Sequence, residues 1–108
     1  MRKHADFQAV YQEGKKQFSG NVTVFYRERS DDAGPRVGFA VSKAMGEAVD
    51  RNRIRRRLRA AVQRRVTQLA RPMDVVVHPR RSVLTLEFTK IEEEIGRLFD
   101  AIQKSRTR

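Results

Sequence analysis

The sequence predicts one α/β domain over residues 1–108, helices layered on a single sheet, in the order α-β-β-α-β-α with a further short strand near Gln17. Three observations point there. Apolar residues recur at helical spacing in three segments, strand-like apolar runs stand between them, and the pattern breaks at Gly14, Gly34-Pro35, Pro72 and Pro79. At 108 residues and 39% apolar, the chain can build one modest core. No internal repeat, low-complexity tract or linker divides it.

Asp6–Glu13 reads as a short helix, with Phe7, Val10 and Tyr11 at i, i+3, i+4 and Gly14 in the stop position. Phe18–Glu28 is strand-like; Val22, Val24 and Tyr26 alternate with Thr23 and Phe25, so both faces carry apolar character. Ser30–Pro35 is a turn. Arg36–Ser42 is a second strand with Val37, Phe39 and Val41 on one face. Its other face holds only Gly38, Ala40 and Ser42, which leaves room for a packed helix or for a ligand. Lys43–Val49 reads as an ordered connection, and a helix then runs from Asp50 or Arg51 to about Ala70, where Arg71-Pro72 stops it. Met73–His78, with Val75, Val76 and Val77 in succession, is a buried strand ended by Pro79. The last helix starts between Thr85 and Thr89; Thr89 and Glu92 have capping-box spacing. Phe88, Ile91, Ile95, Leu98, Phe99 and Ile102 form its apolar stripe.

The net charge of +11 suits a polyanionic partner. It is concentrated: Arg51, Arg53, Arg55, Arg56, Arg57, Arg59, Arg64 and Arg65 stand in one stretch without an acid, whereas the other 16 basic residues face 13 carboxylates. Advancing about 100° per residue, Ile54, Leu58, Ala61, Val62, Val66 and Leu69 make one seam that must face the sheet. Asn52, Arg55, Arg56, Arg59 and Gln63 gather on one flank, Arg53, Arg57 and Arg64 on the other. Stability alone does not select this sequence. Arg51 and Arg53 in a first turn oppose the helix dipole by about 0.3–1 kcal/mol each, partly offset by Asp50 as N-cap. Like-charge pairs such as Arg51/Arg55, Arg53/Arg57 and Arg55/Arg59 cost about 0.2–0.5 kcal/mol each. A bound polyanion relieves that repulsion, and arginine suits bidentate phosphate contacts and base stacking. Strand-like sequence precedes the helix, where a helix-turn-helix DNA reader needs a helix and tight turn. Phe7, Tyr11, Phe25 and Tyr26 offer either core packing or stacking platforms for single-stranded RNA.

Protein-borne chemistry is not expected. There is no cysteine, hence no disulfide or thiolate site. Glu92–Glu94 reads as a solvated face, His4 and His78 have no partner in local sequence, and no Gly-rich phosphate loop occurs. Local sequence therefore offers no catalytic group and no metal site, while clusters of residues distant along the chain stay open at this point. No apolar run approaches the roughly 20 residues of a membrane span, and Met1–Asp6 lacks the apolar stretch of a secretory signal, so a cytoplasmic protein without a membrane partner is expected.

Arg36-Val-Gly-Phe-Ala-Val-Ser-Lys43, followed by Gly46-Glu-Ala-Val-Asp-Arg-Asn-Arg-Ile-Arg-Arg-Arg-Leu-Arg59, resembles the protein component of bacterial ribonuclease P. Asp6–Gly14 before and Asp74–Val77 after extend the resemblance over nearly the whole chain. It implies an α/β (α+β) two-layer sandwich, α-β-β-β-α-β-α, with a four-stranded sheet, akin to the second domain of a small-subunit ribosomal protein. It also implies a left-handed βαβ crossover through the arginine helix, against the usual right-handed rule. The implied role is that of an RNA-binding subunit of an endoribonuclease holoenzyme, in which a catalytic RNA using Mg²⁺ removes the 5′ leader from precursor tRNA. The protein itself then needs no cofactor, and the resemblance implies no catalytic group, no metal site and no small-molecule substrate on it. Carried over by residue, Ser42, Lys43, Arg51, Asn52, Arg53, Arg55 and Arg56 contact the catalytic RNA, and Phe7, Tyr11, Tyr26, Arg55 and Arg59 line a cleft for the single-stranded leader. Ala44, Glu47 and Asp50 depart from the family pattern, which has a lysine, a basic and an apolar residue at those places. A ribosomal or chaperone-like RNA-binding protein is the alternative reading of the same helix.

Overall fold

The computed structural model describes residues 8, 10–12, 14–30 and 34–104. Strands β1 (Lys15–Phe18), β2 (Val22–Glu28), β3 (Arg36–Phe39) and β4 (Met73–Pro79) form one sheet in the order β1-β2-β4-β3. The pairs β1–β2 and β2–β4 are antiparallel, and β3 lies parallel to β4. Helix α1 is described at residues 8 and 10–12. Helices α2 (Ala48–Arg65) and α3 (Phe88–Lys104) follow, and α2 supplies the crossover that a parallel β3–β4 pair requires.

Strand parity decides what each residue faces. Val22, Val24 and Tyr26 pair with Pro79, Val77 and Val75, and all of these but Pro79 join one core with the α2 seam and the α3 stripe. The seam residues Ile54, Leu58, Ala61 and Val62 and the stripe residues Ile91, Ile95, Leu98, Phe99 and Ile102 are all buried there, as their spacing predicts. Thr23, Phe25, Val76 and His78 point the other way. That face is covered in part by α1, whose Tyr11 ring meets both Phe25 and His78. Gly14 lets the chain leave α1 for β1: its N–H bonds the Val10 carbonyl at 2.9 Å, and a Cβ there would collide with the Tyr26 and Val10 carbonyl oxygens.

Several boundaries differ from the sequence reading. The short strand expected near Gln17 is β1, but it takes in Phe18, and a turn tied by the Ser19 N–H to the Val22 carbonyl (2.8 Å) delays the start of β2 to Val22. β3 ends at Phe39 rather than Ser42, after which the Ala40 N–H makes one more bond, to the Val77 carbonyl at 3.0 Å. α2 begins at Ala48 with Glu47 as its capping residue, so Asp50 is not the N-cap. It stands inside the first turn, where the dipole favours an acid, 3.8 Å from Arg81. α3 begins at Phe88, within the expected range, but Thr89 lies inside it and is not its cap; the Glu87 carbonyl accepts from the Lys90 and Ile91 N–H groups.

Glu92–Glu94 is not a solvated face. Three consecutive helical residues spread around the axis. Glu92 lies 3.3 Å from the Arg65 guanidinium and Glu93 is exposed, but Glu94 is buried. The Glu94 carboxylate accepts from the Asn21 N–H at 2.7 Å, from Asn21 Nδ2 at 2.9 Å and from the Ser19 hydroxyl, pinning the β1–β2 turn to α3. Toward the other end of the sheet Asp74 is fully buried beside Arg29 (2.7 Å), Arg36 (2.8 Å) and Arg27 (3.5 Å).

Burial alone would raise the pKa of both carboxylates. Hydrogen bonds outweigh it, from Arg36 and Arg29 at Asp74 and from Ser19 and Asn21 at Glu94, so both titrate below their ordinary values. A depressed folded pKa means that the stabilisation is complete above the ordinary carboxylate range and is lost as pH falls through the folded values. Urea unfolding measured from about pH 7 down to about pH 3 should therefore show stability falling on the acid side, less steeply in Asp74→Asn and Glu94→Gln. An unchanged acid limb in both variants would contradict this account. Asp74→Ala should cost about 3 kcal/mol, since it removes the buried carboxylate that Arg27, Arg29 and Arg36 share.

Candidate nucleic-acid interface

Packing divides α2 into a committed side and a free side. Arg57 donates from Nε to the Val83 carbonyl at 3.1 Å and from its terminal nitrogen to the Leu86 carbonyl, bracing the 3₁₀ turn Arg81–Leu84. Arg64 stands over the Phe88 ring at 5.5 Å and 4.0 Å from Glu92, while Arg65 pairs with the same carboxylate. Part of the self-repulsion read in the sequence is thus relieved within the fold, with no ligand needed.

On the other side Asn52, Arg56, Arg59 and Gln63 are exposed. Arg55 donates to Asn52 Oδ1 at 3.1 Å, and the Arg59 guanidinium lies 6.0 Å from the centre of the Phe39 ring. Arg55 also lines a hollow of about 360 Å³ with Phe39, Ala40, Val41, Ser42, Met45 and His78. Ser42 and Lys43 are exposed where the chain enters a 3₁₀ turn, Lys43–Met45, ahead of α2. That approach is fixed from a distance. Gly46 has φ 125°, and a side chain there would strike the Arg81 guanidinium and the Asp50 carboxylate. Arg81 in turn donates to the Met45 carbonyl at 2.8 Å.

The residues carried over as contacts for the catalytic RNA do not form one uniform patch. Ser42, Asn52 and Arg55 gather around the hollow, and Lys43 and Arg56 are exposed. Arg51 is half-buried, its Nε enclosed without a hydrogen-bond partner. Arg53 is exposed but on the far side, in a second hollow with Asp50, Arg57 and Leu84 through Phe88.

The leader-cleft set needs one correction. Tyr26 is only 6% exposed and belongs to the core on the helix-covered face, so it does not line the cleft. Phe25, its neighbour, is the aromatic that shares a sheet face with Tyr11. Phe25 and the α1 residue Tyr11 meet edge-on at 5.1 Å, and His78 lies 4.9 Å from Phe25 and 5.4 Å from Tyr11. The Tyr11 hydroxyl and His78 Nε2 share a hydrogen bond at 2.7 Å. Burial lowers the His78 pKa and raises that of Tyr11, so both are neutral near pH 7. Phe7 lies outside the described residues. His78 thus finds its partners far along the chain and joins the aromatic cluster to the hollow lined by Ser42 and Arg55. The alternation of Val22, Val24 and Tyr26 against Phe25 already held the signal for the Phe25 placement; His78 follows Val76 by the same parity.

Among the described residues no group of three or more His, Cys, Asp or Glu is placed to hold a metal ion, and no helix is long and apolar enough to cross a membrane.

Known proteins resemble this chain in sequence and in fold. The family model described as Ribonuclease P matches residues 1–103. The ribonuclease P protein component of Carboxydothermus hydrogenoformans is 33% identical over 106 residues, covering 97% of this chain and 91% of that protein. That of Streptococcus pneumoniae is 35% identical over 95 residues, 88% of this chain and 76% of the relative. Among solved structures, the RNase P protein of Thermotoga maritima superposes with a TM-score of 0.84 at 26% identity, covering 94% of each chain. The Staphylococcus aureus RNase P protein gives 0.83 at 24% identity over 95% and 94%, a likeness of fold.

The division of α2 predicts opposite consequences for adjacent arginines. Arg57→Ala should lower unfolding stability by about 1.5–3 kcal/mol, because two carbonyls lose a charged donor. Arg56→Ala should stay within about 0.5 kcal/mol of the parent. Equal losses in urea unfolding would show that the two sides are not distinct.

Proposed function

The chain belongs to the ribonuclease P protein family, the protein subunits of a tRNA-processing endoribonuclease, and from that premise we propose how its two surfaces serve the holoenzyme. The exposed flank of α2 and the Ser42–Lys43 approach dock on the catalytic RNA. The face bearing Tyr11, Phe25 and His78 holds the single-stranded 5′ leader of precursor tRNA. Cleavage is left to the catalytic RNA and its Mg²⁺, in the cytoplasm; the protein contributes binding and position.

The observation that carries this reading is the shared hollow in which Arg55 and Ser42 meet His78. A guanidinium and neutral aromatic rings side by side suit a phosphate and the base attached to it. Stacking on such rings is worth about 1–3 kcal/mol per base and tolerates any sequence, which fits leaders of varied sequence. The basic helix also reduces repulsion between the two RNAs it lies between, because guanidinium groups replace condensed counterions.

Adding the protein to a bacterial ribonuclease P catalytic RNA at low Mg²⁺ should increase precursor-tRNA cleavage; no gain would overturn the proposal. Within that holoenzyme, Phe25→Ala should weaken binding of leader-bearing precursor by about 1–3 kcal/mol while leaving mature tRNA unaffected. Equal loss for both RNAs would contradict the leader assignment.

A further inference from the structure

Phe18 closes β1, the sheet edge opposite β3, and its side chain is 61% exposed. A single exposed phenylalanine is ordinary on a protein surface. This one is part of an array. Lys16 pairs across with Phe25 and Phe18 with Thr23, so Lys16 and Phe18 share the sheet face that bears the aromatic cluster. The Lys16 ammonium lies 5.1 Å from the centre of the Phe18 ring and 5.9 Å from that of Phe25. One cation thus stands between two rings, where the phosphate joining two stacked nucleotides would lie. The one carboxylate that strand parity adds to this face, Asp74 opposite Arg27, is buried and held by Arg27, Arg29 and Arg36, so it presents no free negative charge to that phosphate.

We propose that Phe18 and Lys16 form an outer subsite for unpaired RNA, taking a leader nucleotide farther from the cleavage point than the one stacked on Tyr11, Phe25 and His78. The proposal rests on the leader reading above. The occupant is the leader rather than the catalytic RNA, on two grounds. The surface is a run of rings and one cation, which suits splayed single-stranded bases. It also lies at the edge away from β3, which leads into α2 and the exposed arginines, so a strand leaving the hollow beside Arg55 reaches Phe18 only after crossing the aromatic cluster.

The test uses the reconstituted holoenzyme and precursor tRNAs whose leaders increase stepwise from none. With the parent protein, affinity should rise in steps as the leader reaches first the cluster and then Phe18. Phe18→Ala should abolish the last step, a loss of about five- to tenfold for long leaders and none for the shortest. Phe18→Trp should keep it, and Lys16→Ala should weaken it with a shallower salt dependence. Parent-like affinity of Phe18→Ala at every length, or an equal loss at every length, would overturn the subsite. So would weaker binding of Phe18→Ala to the catalytic RNA alone, which would place Phe18 on the other RNA. Phe25→Ala in the same series separates the two ideas. If it lowers affinity while Phe18→Ala does not, the outer subsite alone fails; if it has no effect at any leader length, the leader reading fails and the subsite with it.

Discussion

The seam by which α2 buries Ile54, Leu58, Ala61 and Val62 against Val75 and Val77 sets the rotation of that helix, and the fate of each arginine follows from it. With each residue advancing about 100°, the guanidinium groups cannot be chosen independently once the seam is in place. Arg57 and Arg64 are turned toward the 3₁₀ turn at Arg81–Leu84 and toward α3, where carbonyls, a ring and Glu92 occupy them. Arg56 and Arg59 are turned outward. One helix therefore contributes to the core, to the contact between helices and to the outer surface, and its sequence satisfies all three through periodicity.

The sheet applies the same logic with a period of two. Residues of one parity on β2 and β4 enter the core; those of the other parity build a surface of Phe25, Val76 and His78 that Tyr11 joins from α1. The two surfaces connect because β3 is short. Its last residue, Phe39, sits beneath Arg59, and the chain then turns through Ser42 into α2, bringing the helix and His78 around one hollow. Gly46, Arg81 and Asp50 hold that turn, so Asp50 has a structural part to play as the partner of Arg81.

Much of this was legible in the sequence where the signal is local. The helix seam, the α3 stripe and the element order all follow from spacing within about ten residues. What was not legible depends on partners far along the chain. Glu94 looked like surface because its partner Asn21 is 73 residues away, and Asp50 looked like a cap because Arg81 could not be seen beside it. Arg57 looked like Arg53 and Arg64, since a helical wheel cannot show that two carbonyls wait beside it. Tyr26 is a different case. The alternation from Val22 to Tyr26 already placed it with the core, and the assignment carried over from the resemblance set that signal aside. Strand parity, anchored to a buried seam, was the better guide.

If only one side of α2 is available to RNA, the salt dependence of assembly with the catalytic RNA shows it most directly. The slope of log affinity against log salt reports how many phosphates the protein neutralises, and removing one such arginine should reduce it by about 0.7–0.9. Arg56→Ala is expected to show that reduction, whereas Arg57→Ala, measured well below its unfolding temperature, is expected to retain the parent slope. Equal slopes for all three proteins, or an equal reduction in both variants, would contradict the account.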